Sequence, residues 1–490
     1  MILTIDVGSS SVRAGLYDRN AQLCEGLNAR RGYEFQTTAD GGAEVDADFL
    51  FELVCQVIDE VFAKGIGNPE EIDAVAVSTF WHNVLGVDKD QCPLTPVYSW
   101  ADTRSAEAAE ELKQQLNEES VHSRTGTVLH PSYWPAKLRW LRQSRPDLWE
   151  RTKKWMSFGE YLYLKLFGET ICGISMASGT GLLDQVRCAW DEEILRTLSL
   201  SPEQLSPLGD LDTPLQQLRS PYIQRWPRLK DVPWLPALGD GACSNIGSGC
   251  VDSKRIALMV GTSGAMRISL DRAPSFIPRG LWCYHIDRRR FLIGGALSNG
   301  GILFEWLRDT IRLEANSELL EQELSAMGPA AHGLTVLPFL LGERSPGWRG
   351  QARAAFVGLN LHTRPIEILR ASLESVACRF AKIASLLKPV APESVEIVAS
   401  GGALLNSPAW TQIMADVLGR PVIASAVTEA SSRGAALLAL ETTKRIFACG
   451  QVVHPLGRVY LPNPENQPVY EKMRMRQDEL YELLINQFGP

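Results

Sequence analysis

Short apolar runs alternate along this chain with longer stretches of helical period. Residues 2–7 (ILTIDV) are apolar and β-prone, and residues 12–17 (VRAGLY) read as a second short strand. The GSSS between them predicts a hairpin with a glycine and hydroxyls at its tip. Residues 48–64 (DFLFELVCQVIDEVFAK) space their apolar positions as a helix does, with Asp48 as the expected N-cap. AVAVS at 74–78 reads as a buried strand, and 105–117 and 134–143 read as helices. A second strand–turn–strand follows at 255–270 (RIALMVGTSGAMRISL). Beyond it the pattern predicts a strand at 291–297, helices at 301–312 and 365–387, a strand at 395–399 and a helix at 408–418. This alternation predicts an α/β protein with mixed sheets.

The two hairpins resemble each other. VGSSSVRAGL and VGTSGAMRISL both run from an apolar strand through Val-Gly and hydroxyls to an Arg on the returning strand, the second turn reading as one residue longer. Gly8 and Gly261 lie about half the chain apart, which predicts an internal duplication into two lobes. The polar stretch SGCVDSKR near 247–255 marks the expected boundary. The expected division is 1–248, 249–450, and a charged, proline-rich tail at 451–490 packed on the second lobe. A chain of 490 residues is long for a single core, which agrees with two lobes.

Composition narrows the function. Hydrophobic residues make up 45% and charged residues 22%, and the net charge is −8, so general nucleic-acid binding through a basic surface is not expected. No run approaches the roughly 18 apolar residues of a membrane span, and MILTIDVGSS lacks the features of a signal peptide. The ten cysteines are scattered without a CxxC pair, and the closest two, Cys243 and Cys250, fit no common zinc spacing. Reduced thiols in a cytoplasmic protein are expected.

Several clusters can carry chemistry. Asp6-Val7-Gly8-Ser9-Ser10 places a carboxylate and hydroxyls at a glycine turn, suited to phosphate oxygens and to a water-rich Mg²⁺. An ordinary polar hairpin reads the same residues, but the second copy at Gly261-Thr262-Ser263-Gly264 gives two loops able to face one nucleotide. Asp240, between Gly239 and Gly241, is placed on what reads as a flexible turn with open approach, suited to a general base. Taken alone, a turn aspartate without catalytic role reads equally well. Trp81-His82 and Trp100-Ala101-Asp102-Thr103-Arg104 each follow a strand end and supply the mixed donors and acceptors that a polyol needs. SGGALLN at 400–406 follows a strand and precedes a helix, and Asn299-Gly300-Gly301 repeats the idea. Either could be a plain helix-capping turn. GxxxxGK[ST], GxGxxG, HExxH and GxSxG are all absent, which removes P-loop enzymes, Rossmann dehydrogenases, zincins and nucleophile-elbow hydrolases from consideration.

With these motifs in this order, the chain resembles the FGGY carbohydrate kinases of the actin-like ATPase superfamily over nearly its whole length. DVGSSSVRAGLYD is similar to the family's first phosphate motif, GTSG at 261–264 to the second, GDGA at 239–242 to the segment with the catalytic base, and SGGALLN to the adenosine motif. The resemblance implies two actin-like (ribonuclease H-like) lobes, mixed sheets flanked by helices, with the ATP cleft between them. It implies Asp240 as base, Asp6 as the residue holding Mg²⁺ through water, and Gly8, Ser9, Ser10, Arg13, Gly261, Thr262, Gly301, Glu305, Gly402 and Asn406 around ATP. Trp81, His82, Asp102 and Arg104 are then the substrate residues, with Arg104, Lys137 or His130 expected to meet a substrate carboxylate.

Within the family, WADTRS at 100–105, RTGTVLHPSYWPAKLRWL at 124–141, GALSNGGILFEWL at 295–307 and LLGERSPGWRGQARAAFVGL at 340–359 look most like gluconokinases. Xylulokinases carry Met-His-Gly where Trp81-His82-Asn83 stands here, and the Arg-Glu pair of glycerol kinases is missing. The expected reaction is phosphorylation of D-gluconate at its terminal hydroxyl. A pentulose such as xylulose or ribulose is the alternative substrate, and a nucleotide-switched binding protein on the same scaffold is the alternative of a different class. No nucleic-acid or membrane partner is expected. A homodimer is common in such families, but the sequence leaves the oligomeric state open, since no segment reads as an interface.

Overall fold

The computed structural model describes residues 1–65, 72–392 and 396–487. Two mixed sheets organise it. In the first, β1 (Ile2–Val7), β2 (Ser11–Tyr17) and β3 (Leu23–Gly32) form an antiparallel meander, while β4 (Ala74–Thr79) and β5 (Leu238–Gly239) join β1 in parallel, in the order β5-β4-β1-β2-β3. Every residue of β1 and β4 is buried, as the continuous Ile, Val and Ala runs of covered parallel strands require.

Helix α1 (Ala47–Ala63) covers this sheet. Its cap is Asp46 rather than the expected Asp48: Asp46 has extended backbone, and its carboxylate accepts the Phe49 N–H at 2.7 Å. Asp48 lies one residue inside the helix and accepts from Tyr161 Oη at 2.6 Å and Lys165 Nζ at 3.0 Å. Between β4 and β5 lie α2 (Ala106–Gln115) and α3 (Trp134–Ser144), with a separate apolar cluster that includes Val84, Leu112, Trp134 and Leu138. Helix α4 (Asp240–Gly247) starts directly from β5.

The second sheet contains β6 (Arg255–Val260), β7 (Gly264–Leu270), β8 (Trp282–His285), β9 (Phe291–Leu297), β10 (Glu396–Ser400), β11 (Val422–Ser425) and β12 (Leu456–Tyr460), in the order β8-β9-β7-β6-β10-β11-β12. As in the first sheet, an antiparallel hairpin adjoins parallel strands, here β6-β10-β11. Residue 395 of the expected 395–399 strand lies outside the described residues, as do 488–490 of the expected tail. Flanking helices are α5 (Gly301–Thr310), α6 (Pro365–Leu387), α7 (Gly402–Leu405), α8 (Pro408–Leu418), α9 (Ala430–Thr442) and α10 (Gln467–Tyr481). The segment after 450 supplies both an edge strand, β12, and helix α10, whose Tyr470 and Met473 enter the second core.

Hairpin geometry corrects one expectation. Val7 pairs with Val12, whereas Val260 pairs with Gly264, so the second turn is the tighter of the two. The extra residue before Arg267 is an ordinary strand position within β7.

Helix α9 joins the two halves. It comes from the second half of the chain, yet Ala435–Leu440 lie in the core of the first sheet. Against α4 the approach is so close that a Cβ on Gly247 would sit 1.8 Å from Ala430 O, and one on Gly434 would sit 1.8 Å from Cys243 O. Backbone cannot yield there as a flexible side chain could. Gly434→Ala is therefore expected to cost about 1–3 kcal/mol through overpacking and to lower Tm by several degrees. A melting curve identical to wild type would refute this account of the crossing. Among the described residues no helix is long and apolar enough to cross a membrane, and all ten cysteines are free thiols.

Candidate active site

Parallel strands place the chemistry. β1, β4 and β5 end side by side at their C-terminal edges, where open α/β sheets bind ligands. The first delivers Asp6 and Gly8, the second Trp81 and His82, the third Asp240. Across the cleft β6 and β10 end together in the same way and deliver Gly261 and Gly401.

Asp240 opens α4, so it stands on a rigid helix start rather than a flexible turn. Its Oδ1 accepts the Gly241 N–H at 2.8 Å. The flanking glycines are explained by Trp81. A Cβ on Gly239 would fall 1.9 Å from the indole Cε2, and one on Gly241 would fall 2.5 Å from Cζ3. The indole lies beneath the aspartate, its N–H donating to Ser175 O at 2.9 Å. Trp81 thus supports the Asp240 turn. Burial raises the Asp240 carboxyl above the usual carboxylate range, and the nearby Arg267 guanidinium opposes the rise. A carboxylate with raised proton affinity is the better base toward an alcohol.

Asp6 is buried and pushed up to about 6 by that burial, with Arg13 opposing and Asp240 and Glu429 adding to the rise. Arg13 bridges Asp6 at 3.1 Å and Glu429 at 3.2 Å. The other Asp6 oxygen, Oδ1, is buried without a hydrogen-bond partner. Negative charge gathered around an orphaned carboxylate oxygen fits a hydrated divalent cation. Among the described residues no three His, Cys, Asp or Glu side chains close around an ion. The site therefore fits Mg²⁺, which keeps waters and phosphates in its shell, better than a metal wanting a protein cage.

At the hairpin tips, Gly8 N–H donates to Ser11 O at 3.0 Å and Gly261 N–H to Ser263 O at 2.9 Å. These bonds close the turns and leave the exposed Ser9, Ser10 and Thr262 as the groups facing the cleft. The nucleotide side is an interlock of loops. Gly301 N–H donates to Gly261 O at 2.7 Å, and a Cβ on Gly301 would fall 2.6 Å from Ala403 Cβ. Gly401 adopts φ +90°, and a Cβ there would lie 2.3 Å from Val260 O. Gly402 and Asn406 are exposed at the ends of the short α7, and Glu305 is exposed one turn into α5.

The polyol candidates separate into two groups. His82, in left-handed backbone at φ +66°, stacks with Trp81 and meets Tyr133 edge-on at 4.9 Å. Burial and Arg344 hold its imidazole neutral, down to about 3. Asp102 and Arg104, in contrast, are committed to each other. Arg104 donates to both Asp102 oxygens and pairs with Glu44, while its guanidinium lies over Tyr98 and Trp140 at 5.3 and 4.9 Å. Asp102 also accepts the Ala43 N–H at 3.2 Å and the Arg104 backbone N–H at 3.1 Å. The Nε and Nη2 donors of Arg104 are thus taken up by Asp102 and Glu44.

Vacant cations lie elsewhere. Lys137 on α3 is 1% exposed and bonded only to Pro131 O, and burial pushes it down to about 7, with Asp102 opposing and Arg344 adding to the fall. His130 is held neutral by burial, and its Nε2 has no partner. Arg344 is half-buried over the Trp100 ring at 5.3 Å; its Nε is buried without a partner, and it forms no ion pair with any described residue. Its charge acts on His82, His130, Lys137, Tyr133 and Asp240. Arg344, Arg267, Tyr133 and Tyr284 were not singled out in the sequence. Tyr133 and Tyr284 join the lobes through an Oη–Oη contact of 2.7 Å, and Tyr284 stacks on Trp282 at 4.3 Å.

Comparison with known proteins agrees with this architecture. Residues 1–247 match the FGGY family of carbohydrate kinases, N-terminal domain, and residues 256–442 match its C-terminal domain. A gluconokinase of Bacillus subtilis (strain 168) is 30% identical over 99% of this chain and 96% of its own length. A xylulose kinase of Staphylococcus xylosus is 24% identical over 89% of this chain and 90% of its own. Among solved structures, a gluconate kinase from Lactobacillus acidophilus superposes with a TM-score of 0.91 at 28% identity, covering 99% of this chain and 98% of that one. A xylulose kinase from the same organism gives 0.92 at 28% identity, covering 99% of both.

Proposed function

The chain belongs to the FGGY family of carbohydrate kinases, and from that premise we propose that it phosphorylates the terminal hydroxyl of a sugar acid, D-gluconate, with ATP as donor. The observation that carries the choice of an anionic substrate is Arg344. A guanidinium with a buried, unpartnered nitrogen and no ion pair to any described residue lies within electrostatic reach of both the buried Lys137 and Asp240. Leaving cations so uncompensated is unfavourable unless a ligand supplies the negative charge. A neutral pentulose would leave them unpaired, whereas an aldonate carboxylate pairs with them.

The proposed sequence of events follows from these positions. The carboxylate end of the substrate lies toward Arg344, Lys137 and His130, with the polyol chain along His82 and Tyr133. Its terminal hydroxyl then lies toward Asp240, which accepts the proton as that oxygen attacks the γ-phosphorus in line. Positioning and charge neutralisation dominate such transfers. Ser9 and Ser10 face the transferring group, Thr262 and Gly261 the remaining phosphates, and Gly301, Gly402 and Asn406 border the nucleoside. Kinases of this family generally use Mg²⁺, which when bound neutralises phosphate charge; Asp6 is the residue to hold it through water. Asp102 and Arg104 act beneath this pocket, where Asp102 favours the charged form of Lys137.

The test is ATP consumption with gluconate, xylulose, ribulose, glycerol and erythritol at equal concentration. Gluconate is expected to give the highest kcat/KM. A pentulose clearly ahead of gluconate would overturn the substrate assignment and leave the kinase family untouched.

A further inference from the structure

Arg344 can meet an anion only if no carboxylate of its own chain reaches it first, and one stands next to it in the sequence. Glu343 precedes it in the same loop. Both residues border one small cavity of about 10 Å³, together with Ser298, Asn299, Ser345 and Arg379. Yet Glu343 does not pair with Arg344. One of its oxygens is held by Arg379 Nη2, and the other accepts from Tyr481 Oη at 2.5 Å. Arg379 is fixed in turn between rings, its guanidinium 5.3 Å from the Phe339 centroid and 4.9 Å from that of Tyr481. The loop is moulded around this arrangement, since a Cβ on Gly347 would fall 2.0 Å from Tyr481 Oη. Tyr481 ends helix α10, far along the chain from any residue of the cleft.

We propose that Tyr481 and Arg379 are positioning residues for substrate selection: by holding the Glu343 carboxylate they keep Arg344 free for the anionic group of the substrate. The proposal rests on the sugar-acid reading given above. If Glu343 were released from Arg379 and Tyr481, its charge would be drawn toward the neighbouring Arg344, because attraction between close opposite charges is several-fold stronger inside protein than in water. The pocket would then lose its unpaired cation and its preference for an anion, while the nucleotide loops would be unaffected.

Tyr481→Phe in the full-length protein tests this, since it removes one hydroxyl and keeps the ring that packs on Arg379. KM for gluconate is expected to rise roughly tenfold, the size of one lost hydrogen bond to a charged group, with KM for ATP near wild type. In a Glu343→Gln background the same change is expected to leave gluconate KM unaltered, because no charge remains to be released. An unchanged gluconate KM in Tyr481→Phe overturns the proposal. So does a rise matched by an equal rise in ATP KM, or a rise that persists in the Glu343→Gln background. Where Glu343→Gln does not fold, the comparison of gluconate KM with ATP KM decides. A wild-type protein that prefers a pentulose to gluconate overturns the sugar-acid reading and this proposal with it. Wild-type preference for gluconate without the Tyr481 effect overturns only the proposal.

Discussion

Asp240→Asn is expected to lower kcat by a factor on the order of 10² to 10⁴, the usual contribution of a positioned general base. Asparagine keeps the shape of the side chain and its contact with the Gly241 N–H, so the helix start and the Trp81 beneath it should be undisturbed. KM for ATP should change little, because Asp240 lies apart from the loops proposed to border the nucleoside, which interlock in the second lobe. The pH profile supplies a second readout. Burial raises the Asp240 carboxyl above its ordinary value, so the group is protonated, and unable to accept a proton, over a wider acid range than a free aspartate. The wild-type kcat at saturating gluconate should therefore rise as pH rises through that raised value and then level off. The Asn variant should lack this limb. Near-normal turnover in Asp240→Asn would end the assignment of the base.

Local features of the fold were legible because local rules set them. Apolar runs broken by Val-Gly turns gave both hairpins, and helical spacing gave 365–387 and 408–418 to the residue. What the sequence could not reveal depended on distant partners. Residues 434–440 (GAALLAL) form an unbroken apolar run, so their period does not tell which sheet they cover, and the structure puts Ala435–Leu440 on the first. Trp81 reads as a ligand platform because nothing in the chain announces that Gly239 and Gly241 come to lie upon it. Asp102 and Arg104 form a plausible polar cluster in sequence, but their pairing with Glu44 is a product of the folded arrangement. Arg344 gives the clearest case. In LLGERSPGW it is one more charged loop residue, flanked by an acid that seems its natural partner. Only the folded structure shows that acid turned to Arg379 and Tyr481.

Arg344→Met should consequently have a large and selective effect. Methionine keeps much of the length and the apolar stem but removes the charge that lies over Trp100. Losing one partner of a desolvated charge pair costs about 2–5 kcal/mol, so kcat/KM for gluconate should fall by a factor on the order of 10² to 10³. The loss should appear chiefly in KM, because the carboxylate lies at the opposite end of the substrate from the reacting hydroxyl and its contact is the same in the ground and transition states. An uncharged pentulose should lose far less, since it makes no ion pair to break, and its kcat/KM relative to gluconate should rise. Lys137→Met should act in the same direction but more weakly: its ammonium, pushed down to about 7, carries only part of a charge near neutral pH. For the same reason gluconate KM should worsen as pH rises through that value, and this pH dependence should vanish in the Lys137 variant. Equal losses for gluconate and a pentulose in Arg344→Met would mean that the residue shapes the pocket without reading charge. The argument for a sugar acid over a neutral sugar would then fall, although Asp240 and the phosphate loops would keep their roles.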